Sequence, residues 1–328
     1  MVKILIGGSP CTYWSIARTG QKNNKIDRET KPEGLGWELF RNYLIAKEKF
    51  KPDFFLYENN NSISKAIKEC ITEKLGVENM CINSSLLSAQ TRKREYWFNW
   101  EAEQPEDRRV SFQEIKDTDY EYCKKFKVKR TPSRERMWNN GNGRNGNHSC
   151  TNITNAIKTN AVTTKQDRSN NAGLIEFDDF CRYLTTHELE QLQTLPKGYT
   201  DGITRSQQEK CIGNGWTAAV ITYLLEKGLK NVDREEEVIV LSMYDGIATG
   251  RYCLKQLGFK NIKYFAYEIE KSAIAVATNN FPDIIECGDA FGVRESNWNI
   301  MRLAAVEGES GTDRNEKTGT YRVREMEG

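Results

Sequence analysis

Apolar positions along the chain switch repeatedly between two periods. Residues 2–6, Val-Lys-Ile-Leu-Ile, form a short apolar run with β-branched residues, the pattern of a buried strand. From 34 to 50, Leu35, Leu39, Tyr43, Leu44 and Ala46 recur at roughly helical spacing and predict an amphipathic helix. Residues 53–57 read as a second buried strand. Ser62 is placed to cap a helix through Leu75 that shows Ile63, Ala66, Ile67, Cys70 and Ile71 on one face. Residues 80–83 and the aromatic run 95–100 follow as strands. The pattern resumes at 180–184, and Thr185 or Thr186, with Glu188 or Glu190, starts a helix that turns Leu189 and Leu192 inward and ends before Pro196. An apolar helix is predicted over 217–228, then strands at 237–243, 263–267 and 283–287 with helices to Leu257 and through Asn280 between them. Strands alternating with helices predict an α/β fold with a mostly parallel, doubly wound sheet.

Between about 101 and 173 both periods fade, and the Asn/Gly-rich run 139–147 reads as loop. From Lys124 to Arg168, eleven Lys and Arg stand against two acids, Glu135 and Asp167, a local charge of +9. Such a segment is either a solvated insertion or a grip on phosphates, and composition leaves both open. The polar, basic stretch 18–31 is a predicted loop. The tail from about 307, charged and poor in apolar residues, is predicted to be disordered.

Composition narrows the chemistry. The overall charge of +2 points to no partner. Nine cysteines without a Cys-x-x-Cys pair suggest neither a disulfide framework nor a zinc site, and two histidines, His148 and His187, nearly exclude histidine-based metal or triad chemistry. The chain opens on a strand and has no run of 18 apolar residues, so it reads as a soluble, cytoplasmic protein of a reducing compartment with no membrane partner.

Two loops carry candidate chemistry. The first strand runs into Gly7-Gly8-Ser9-Pro10-Cys11, where the glycines allow a sharp turn and Pro10 restricts its neighbourhood, aiming one thiol from the C-terminal end of a strand. Later, Asp245-Gly-Ile-Ala-Thr-Gly250 follows a strand, and Glu268 ends the next one, the layout of a nucleoside-binding Rossmann-like half. The loop lacks the full G-x-G-x-x-G pattern, which favours a nucleoside without pyrophosphate, such as S-adenosylmethionine, over NAD. Asp289, after the third strand, is placed to accept from an adenine amino group.

Taken together, these pieces resemble the DNA cytosine-5 methyltransferases over most of residues 1–300. Gly7-Gly8-Ser9-Pro10-Cys11 is similar to the nucleophile motif of the eukaryotic de novo branch, Glu58-Asn59 to Glu-Asn-Val, and Gln90-x-Arg92-x-Arg94 to Gln-x-Arg-x-Arg. Arg182-x-Leu184-Thr185, with Glu188, Leu192-Gln193 and Pro196, is similar to the Arg-x-Leu-Thr motif. Gly213-Asn214-Gly215-Trp216 resembles the Gly-Asn motif that closes over the cofactor, and the 245–250 loop the first cofactor motif. The order departs from the family's, because the cofactor motifs come last, so the resemblance implies a circular permutation cut between the strands at 283 and 3. A second departure is Asn60 in place of the family's Val.

The resemblance implies a permuted, Rossmann-like class I methyltransferase fold: a catalytic half at 1–100, a small irregular target-recognition insertion at 101–175, closing motifs at 176–230, a cofactor half at 231–300 and a tail at 301–328. It implies a phage or bacterial enzyme that methylates cytosine C5 in double-stranded DNA. Cys11 would attack C6, a neutral Glu58 carboxyl would hydrogen-bond N3, and Arg92 and Arg94 would hold the base's O2 carbonyl and orient Glu58 by bidentate contacts. S-adenosylmethionine would be held by Tyr244, Asp245, Gly246, Ile247, Ala248, Thr249, Gly250, Glu268, Ile269, Asp289 and Ala290, with Asn214 and Trp216. Ser9, Pro10, Ser15, Asn59, Lys129, Arg130 and Arg134 would contact the substrate, and the 18–31 loop would close on it. No metal is implied. An RNA-methylating branch and a catalytically inactive accessory protein are the alternatives, and the oligomeric state is left open.

Overall fold

The computed structural model describes residues 1–15, 28–129, 132, 152–167, 171–177 and 179–294, and the backbone of 313–314 and 321–322. In chain order the first elements are β1 (Val2–Gly7), α1 (Leu35–Phe50), β2 (Phe54–Asn60), α2 (Lys65–Leu75), β3 (Asn79–Asn83), β4 (Gln90–Thr91) and β5 (Lys93–Phe98). Short elements follow: α3 (Phe112–Ile115), α4 (Tyr120–Lys124), β6 (Thr159–Asn160), β7 (Ile175–Phe177) and β8 (Phe180–Arg182). Then come α5 (Thr186–Leu192), α6 (Arg205–Asn214), α7 (Ala218–Gly228), β9 (Val238–Met243), α8 (Thr249–Gln256), β10 (Ile262–Tyr267), α9 (Lys271–Asn280) and β11 (Ile285–Gly288). In the tail, expected to be disordered, β12 (Asp313–Arg314) pairs antiparallel with β13 (Tyr321–Arg322), a ladder too short to leave a periodicity in the sequence.

The chain divides into two compact units. The first comprises Met1–Cys81, Arg94–Glu101 and Lys227–Gly328, the second Ile82–Lys93 and Ala102–Glu226.

The first unit is built on a seven-stranded sheet in the order β11-β10-β9-β1-β2-β5-β3, and the α/β fold with a mostly parallel central sheet is the one that the alternating periods predict. β1 pairs in parallel with both β9 and β2, β9 with β10, and β10 with β11, while β5 runs antiparallel to β2. The central position of β9 explains its composition: all six residues of Val-Ile-Val-Leu-Ser-Met are buried, as a parallel strand covered on both faces requires. One face of the sheet carries the core of Leu5, Phe55, Tyr57, Trp97, Leu241, Met243 and Phe265, packed with Phe40 and Tyr43 of α1 and Ile67 and Ile71 of α2. Helix α2 is capped by Ser64, whose hydroxyl accepts from the Ile67 N–H, and not by Ser62. The Ser62 N–H is taken up by the Asn60 side chain, so the chain stays in a turn for two further residues. Gly76 closes the helix in the left-handed region.

In the second unit a smaller core of Phe112, Ile153, Val162, Ile175, Leu189, Leu192 and Ile212 lies beneath short elements. Residues 205–214, which look polar in sequence, form α6. Its start is marked by the Thr204 N–H donating to Gln207, and the missing apolar stripe hid it. Of the two acids placed to cap α5, Glu188 does so: its carboxylate accepts from the Thr185 N–H while the Thr185 hydroxyl accepts from the Glu188 N–H. Glu190 instead accepts from the N–H groups of Gly198 and Thr200 and from the Thr200 hydroxyl, closing the turn after the helix. Among the described residues no helix is long and apolar enough to cross a membrane.

Candidate active site

The turn after β1 is fixed by close backbone approach. β1 and β2 run in register, with Gly7 opposite Tyr57, so Gly8 lies against Glu58. A Cβ on Gly8 would stand 2.7 Å from the Glu58 carbonyl oxygen and 3.0 Å from its Oε2, and one on Gly7 would stand 2.6 Å from the Met243 carbonyl oxygen. Pro10 then turns the chain into a single 3-10 turn over Cys11–Tyr13, in which the Cys11 carbonyl accepts from the N–H groups of Trp14 and Ser15. Cys11, partly exposed, leads that turn.

Strand β2 supplies the rest of this centre. Glu58 is paired with Arg94, Oε1 to Nε at 3.1 Å. The register places Tyr96 opposite Glu58 and Arg94 opposite Asn60, so the two charges meet as diagonal neighbours on one face. The resemblance implies that both Arg92 and Arg94 orient Glu58; the structure brings Arg94 alone of the two to it. On the other face Asn59, 1% exposed, donates through Nδ2 to the Ser9 carbonyl (3.1 Å) and to the Tyr57 hydroxyl (3.2 Å), and that hydroxyl shares a 2.6 Å hydrogen bond with Ser9 Oγ. Burial, relieved in part by these bonds, pushes the Tyr57 phenol far above its usual value, so it stays a neutral hydrogen-bonding post. In the sequence Tyr57 looks like one more apolar position of a strand, and nothing local marks its hydroxyl as part of the centre.

Arg92 is placed otherwise. The sequence treats it as the equal of Arg94, but its guanidinium is buried in the second unit and donates to the carbonyls of Val162 (2.9 Å), Gly213 (3.2 Å) and Gly215 (2.9 Å). Gln90 acts beside it, donating to the Leu192 carbonyl and the Gln193 side chain and accepting from the Val162 N–H. These two residues of the Gln-x-Arg-x-Arg pattern therefore hold backbone segments together. Gly213 itself packs on residues 163–164, where a Cβ would lie 2.4 Å from the Thr163 carbonyl carbon. Asn214 is the exposed last residue of α6 and Trp216 lies half-buried beyond it. Lys129 is exposed in the second unit, while Arg130, Arg134 and residues 16–27 of the expected closing loop lie outside the described residues.

The loop between β9 and α8 is a cradle of alternating backbone hands. Tyr244, Gly246 and Ala248 have φ of 62°, 66° and 59°. A Cβ on Gly246 would meet nothing, whereas one on Gly250 would collide with Ile6, so the first glycine serves the turn and the second the packing of α8 on the sheet. Tyr244 donates its hydroxyl to the Leu39 carbonyl (2.7 Å). Ile247, Thr249 and Ala290 are buried. The Glu268 carboxylate accepts from the N–H groups of Gly246, Ile269 and Glu270, each at 2.8 Å. Ile269 is 67% exposed beside it. Asp289, placed by the sequence at an adenine amino group, accepts from the Phe291 N–H at 2.8 Å and so caps the 3-10 turn over Ala290–Gly292.

Asp245 is half-buried, and its Oδ1 accepts from Ser242 Oγ and the Tyr264 hydroxyl, both at 2.6 Å. Its Oδ2 and both carboxyl oxygens of Glu286, on β11, are buried without a hydrogen bond among the described residues. Burial raises Asp245 to about 6 and Glu286 to about 8, with neighbouring acids adding to both: Glu268 for the first, Asp245 and Glu268 for the second. Three acids facing one another, with orphaned oxygens, suit a ligand that brings positive charge and hydroxyl or amine donors. S-adenosylmethionine fits that description. Glu286 is not among the residues that the sequence singles out, although an acid inside the apolar run Ile-Ile-Glu-Cys is a visible signal.

Both groups bind their protons more tightly in the folded chain than in the unfolded one. Their contribution to stability is therefore lost as pH rises from 3.8, the ordinary value of Asp245, to about 8. The ligand-free protein is expected to melt at a lower temperature at pH 8.5 than at pH 6, and Glu286→Gln to flatten that slope. Melting curves across this range check it; an unchanged slope in the variant would remove Glu286 as the cause.

The sequence matches the family model described as C-5 cytosine-specific DNA methylase over residues 1–91 and 79–230. Among solved structures, the chain is similar to the S. pombe Dnmt2 methyltransferase at 15% identity and a TM-score of 0.42, covering 55% of this chain and 67% of that one. It is also similar to a triple mutant of Spodoptera frugiperda DNMT2 at 16% identity and a TM-score of 0.46, covering 68% and 78%. No curated protein matches it significantly. Since the family match extends over more than half of the 328 residues and includes the Cys11 turn, Glu58 and Gln90, the chain belongs to the C-5 cytosine-specific DNA methylase family.

Proposed function

We propose that this methyltransferase transfers a methyl group from S-adenosylmethionine to C5 of cytosine in double-stranded DNA, with Cys11 as covalent nucleophile. The observation that carries the reading is the packing of the Cys11 turn on Glu58, which is paired with Arg94. C5 of cytosine is a poor nucleophile until C6 is attacked. A thiolate at Cys11 suits the task because it adds to C6 and later leaves. Glu58 would hydrogen-bond N3 and help to place a proton there as negative charge develops in the ring. Arg94 would fix the carboxyl and add a donor for the base carbonyl. C5, made electron-rich by the attack, takes up the methyl group; its proton then passes to water, and the electrons of that bond restore the C5–C6 double bond as Cys11 leaves as thiolate. The base must leave the helix stack for any of this to happen.

Bound S-adenosylmethionine would supply a methyl group on a positively charged sulfur. Glu268 would accept from ribose hydroxyls, Asp245 and Glu286 would offer their orphaned oxygens, and Ile269 would give an apolar edge for the adenine. The basic stretch with exposed Lys124, Lys125 and Lys129 would neutralise phosphates. A circular permutation accounts for the order of the motifs, and it is supported by the parallel pairing of β1 with β9, which lets the catalytic strand follow or precede the cofactor strands in one sheet. DNA is preferred over RNA because the nucleophile motif resembles the Gly-Gly-Ser-Pro-Cys form of the de novo DNA branch.

The test is incubation with labelled S-adenosylmethionine and either unmethylated duplex DNA or transfer RNA, followed by bisulfite sequencing. Cys11-dependent 5-methylcytosine in DNA in one short context is expected. Label on RNA alone would overturn the DNA reading, and cofactor binding without transfer would favour an accessory protein. In the same assay Gly8→Ala is expected to lower transfer about 100-fold, because the added methyl must push the turn off Glu58, and misplacement by about 1 Å costs that much.

A further inference from the structure

We propose that Asn60, the residue that departs from the family's Glu-Asn-Val pattern, is a positioning residue for Cys11; the inference rests on the catalytic reading of that thiol. Asn59 and Asn60 point to opposite faces of β2 yet grip the same turn from its two sides. Asn59 holds the Ser9 carbonyl, two residues before Cys11. Asn60 Nδ2 donates to Ser15 Oγ at 3.2 Å, four residues after it. The orientation of the Asn60 amide is dictated locally. Its Oδ1 accepts from the Ser62 N–H at 3.0 Å, so the nitrogen end must face Ser15. The Asn60 carbonyl also accepts from the Ile63 N–H. An Asx turn at the tip of β2 thus becomes a rigid arm that reaches the catalytic turn. A valine has no donor to offer Ser15 and no acceptor for Ser62.

The geometry links Asn60 to the chemistry through Glu58. The two lie on one face of β2, two residues apart, and Arg94 stands opposite Asn60 in the register while pairing with Glu58. Fixing Ser15 to Asn60 therefore fixes the far side of the Cys11 turn to the strand that carries Glu58. Other contacts bind the same region. Glu29 accepts from the Trp14 indole (3.0 Å), Arg28 donates to the Trp14 carbonyl (2.8 Å), and the Glu29 N–H donates to the Tyr13 carbonyl. These hold Tyr13 and Trp14; the Asn60 arm holds Ser15. Asn60→Val should consequently leave the turn folded but let it move relative to Glu58.

The test compares wild type, Asn60→Val, Ser15→Ala and the double variant. The first readout is the iodoacetamide alkylation rate of Cys11 in the free protein against pH, followed by peptide mass spectrometry because Cys81 is exposed and Cys70, Cys181 and Cys287 are partly so. The second is the rate of covalent trapping by duplex DNA containing 5-fluorocytosine. Melting temperature and S-adenosylmethionine affinity are measured alongside. Asn60→Val is expected to shift the alkylation profile and slow trapping about tenfold with cofactor affinity unchanged. Ser15→Ala should do the same, and the double variant should be no worse than either single one, the signature of two groups acting as one contact. Additive losses, or wild-type alkylation and trapping in Asn60→Val, would overturn the proposal. If the wild-type protein traps no DNA at all, the DNA reading fails, and the alkylation profile alone decides on Asn60.

Discussion

Replacing Cys11 with alanine is expected to abolish methyl transfer, by at least about 10⁴-fold, while the protein folds and binds S-adenosylmethionine as before. The size follows from the chemistry. Without a nucleophile at C6 the ring keeps its aromatic character, and no other group in the centre, neither Glu58 nor Arg94, can add to carbon and then leave. The harmlessness to the fold follows from the structure: Cys11 leads a 3-10 turn, is partly exposed, and takes part in neither β1 nor the core around Leu5, Tyr57 and Met243. The cofactor loop depends on Gly246, Gly250 and Glu268, all remote from Cys11 in the chain. Initial rates with labelled cofactor, trapping with 5-fluorocytosine DNA and isothermal titration with S-adenosylmethionine together test the claim. Residual transfer above about a hundredth of wild type would mean that the covalent route is wrong. Lost cofactor binding would mean that the turn and the cofactor loop are coupled through the sheet.

What the sequence made legible depended on how far apart the interacting residues lie. The strands β1, β2, β9 and β10 announce themselves because each is a local apolar run, and their parallel order follows from the helices between them. The Cys11 turn is equally local: two glycines, a proline and a thiol within five residues. Arg92 and Arg94 show the limit. They are two positions apart and chemically identical, and nothing beside them says that one will pair with Glu58 while the other donates to carbonyls 121 and 123 residues further on. The same limit hid Tyr57, whose hydroxyl meets Ser9 across 48 residues, and Tyr264, which holds Asp245 from the next strand. Helix α6 was hidden for another reason. Its inward face includes Gln208 and Glu209, polar residues buried by tertiary contacts, so the hydrophobic period that marks a helix is absent. Asn60 lies between these cases, because the departure from the family pattern is visible in sequence and its partner, Ser15, is not.

The largest effect on stability is expected at Glu188. Its carboxylate receives both terminal nitrogens of Arg182, at 2.7 and 2.8 Å, and both side chains are 0% exposed. The same two oxygens also accept from the N–H groups of Thr185 and Asp117, each at 2.8 Å. One side chain thus neutralises a buried cation, caps α5 and ties the segment before α4 to the helix. Arg182 further donates to the carbonyls of Asp117 and Tyr183, which places it where no water can replace its partner. Glu188→Ala removes the counter-charge and leaves the guanidinium buried, a change that costs about 3–5 kcal/mol. In a unit of this size that corresponds to a fall in melting temperature of roughly 10 °C. The double variant Arg182→Met/Glu188→Leu should recover much of the loss, because it removes both charges and keeps their volume. Urea and thermal unfolding of the three proteins measure this. A double variant as unstable as Glu188→Ala would show that the capping and Asp117 contacts, and not the stranded charge, dominate. A single variant within about 1 kcal/mol of wild type would show that the Arg182–Glu188 pair does not anchor this unit at all.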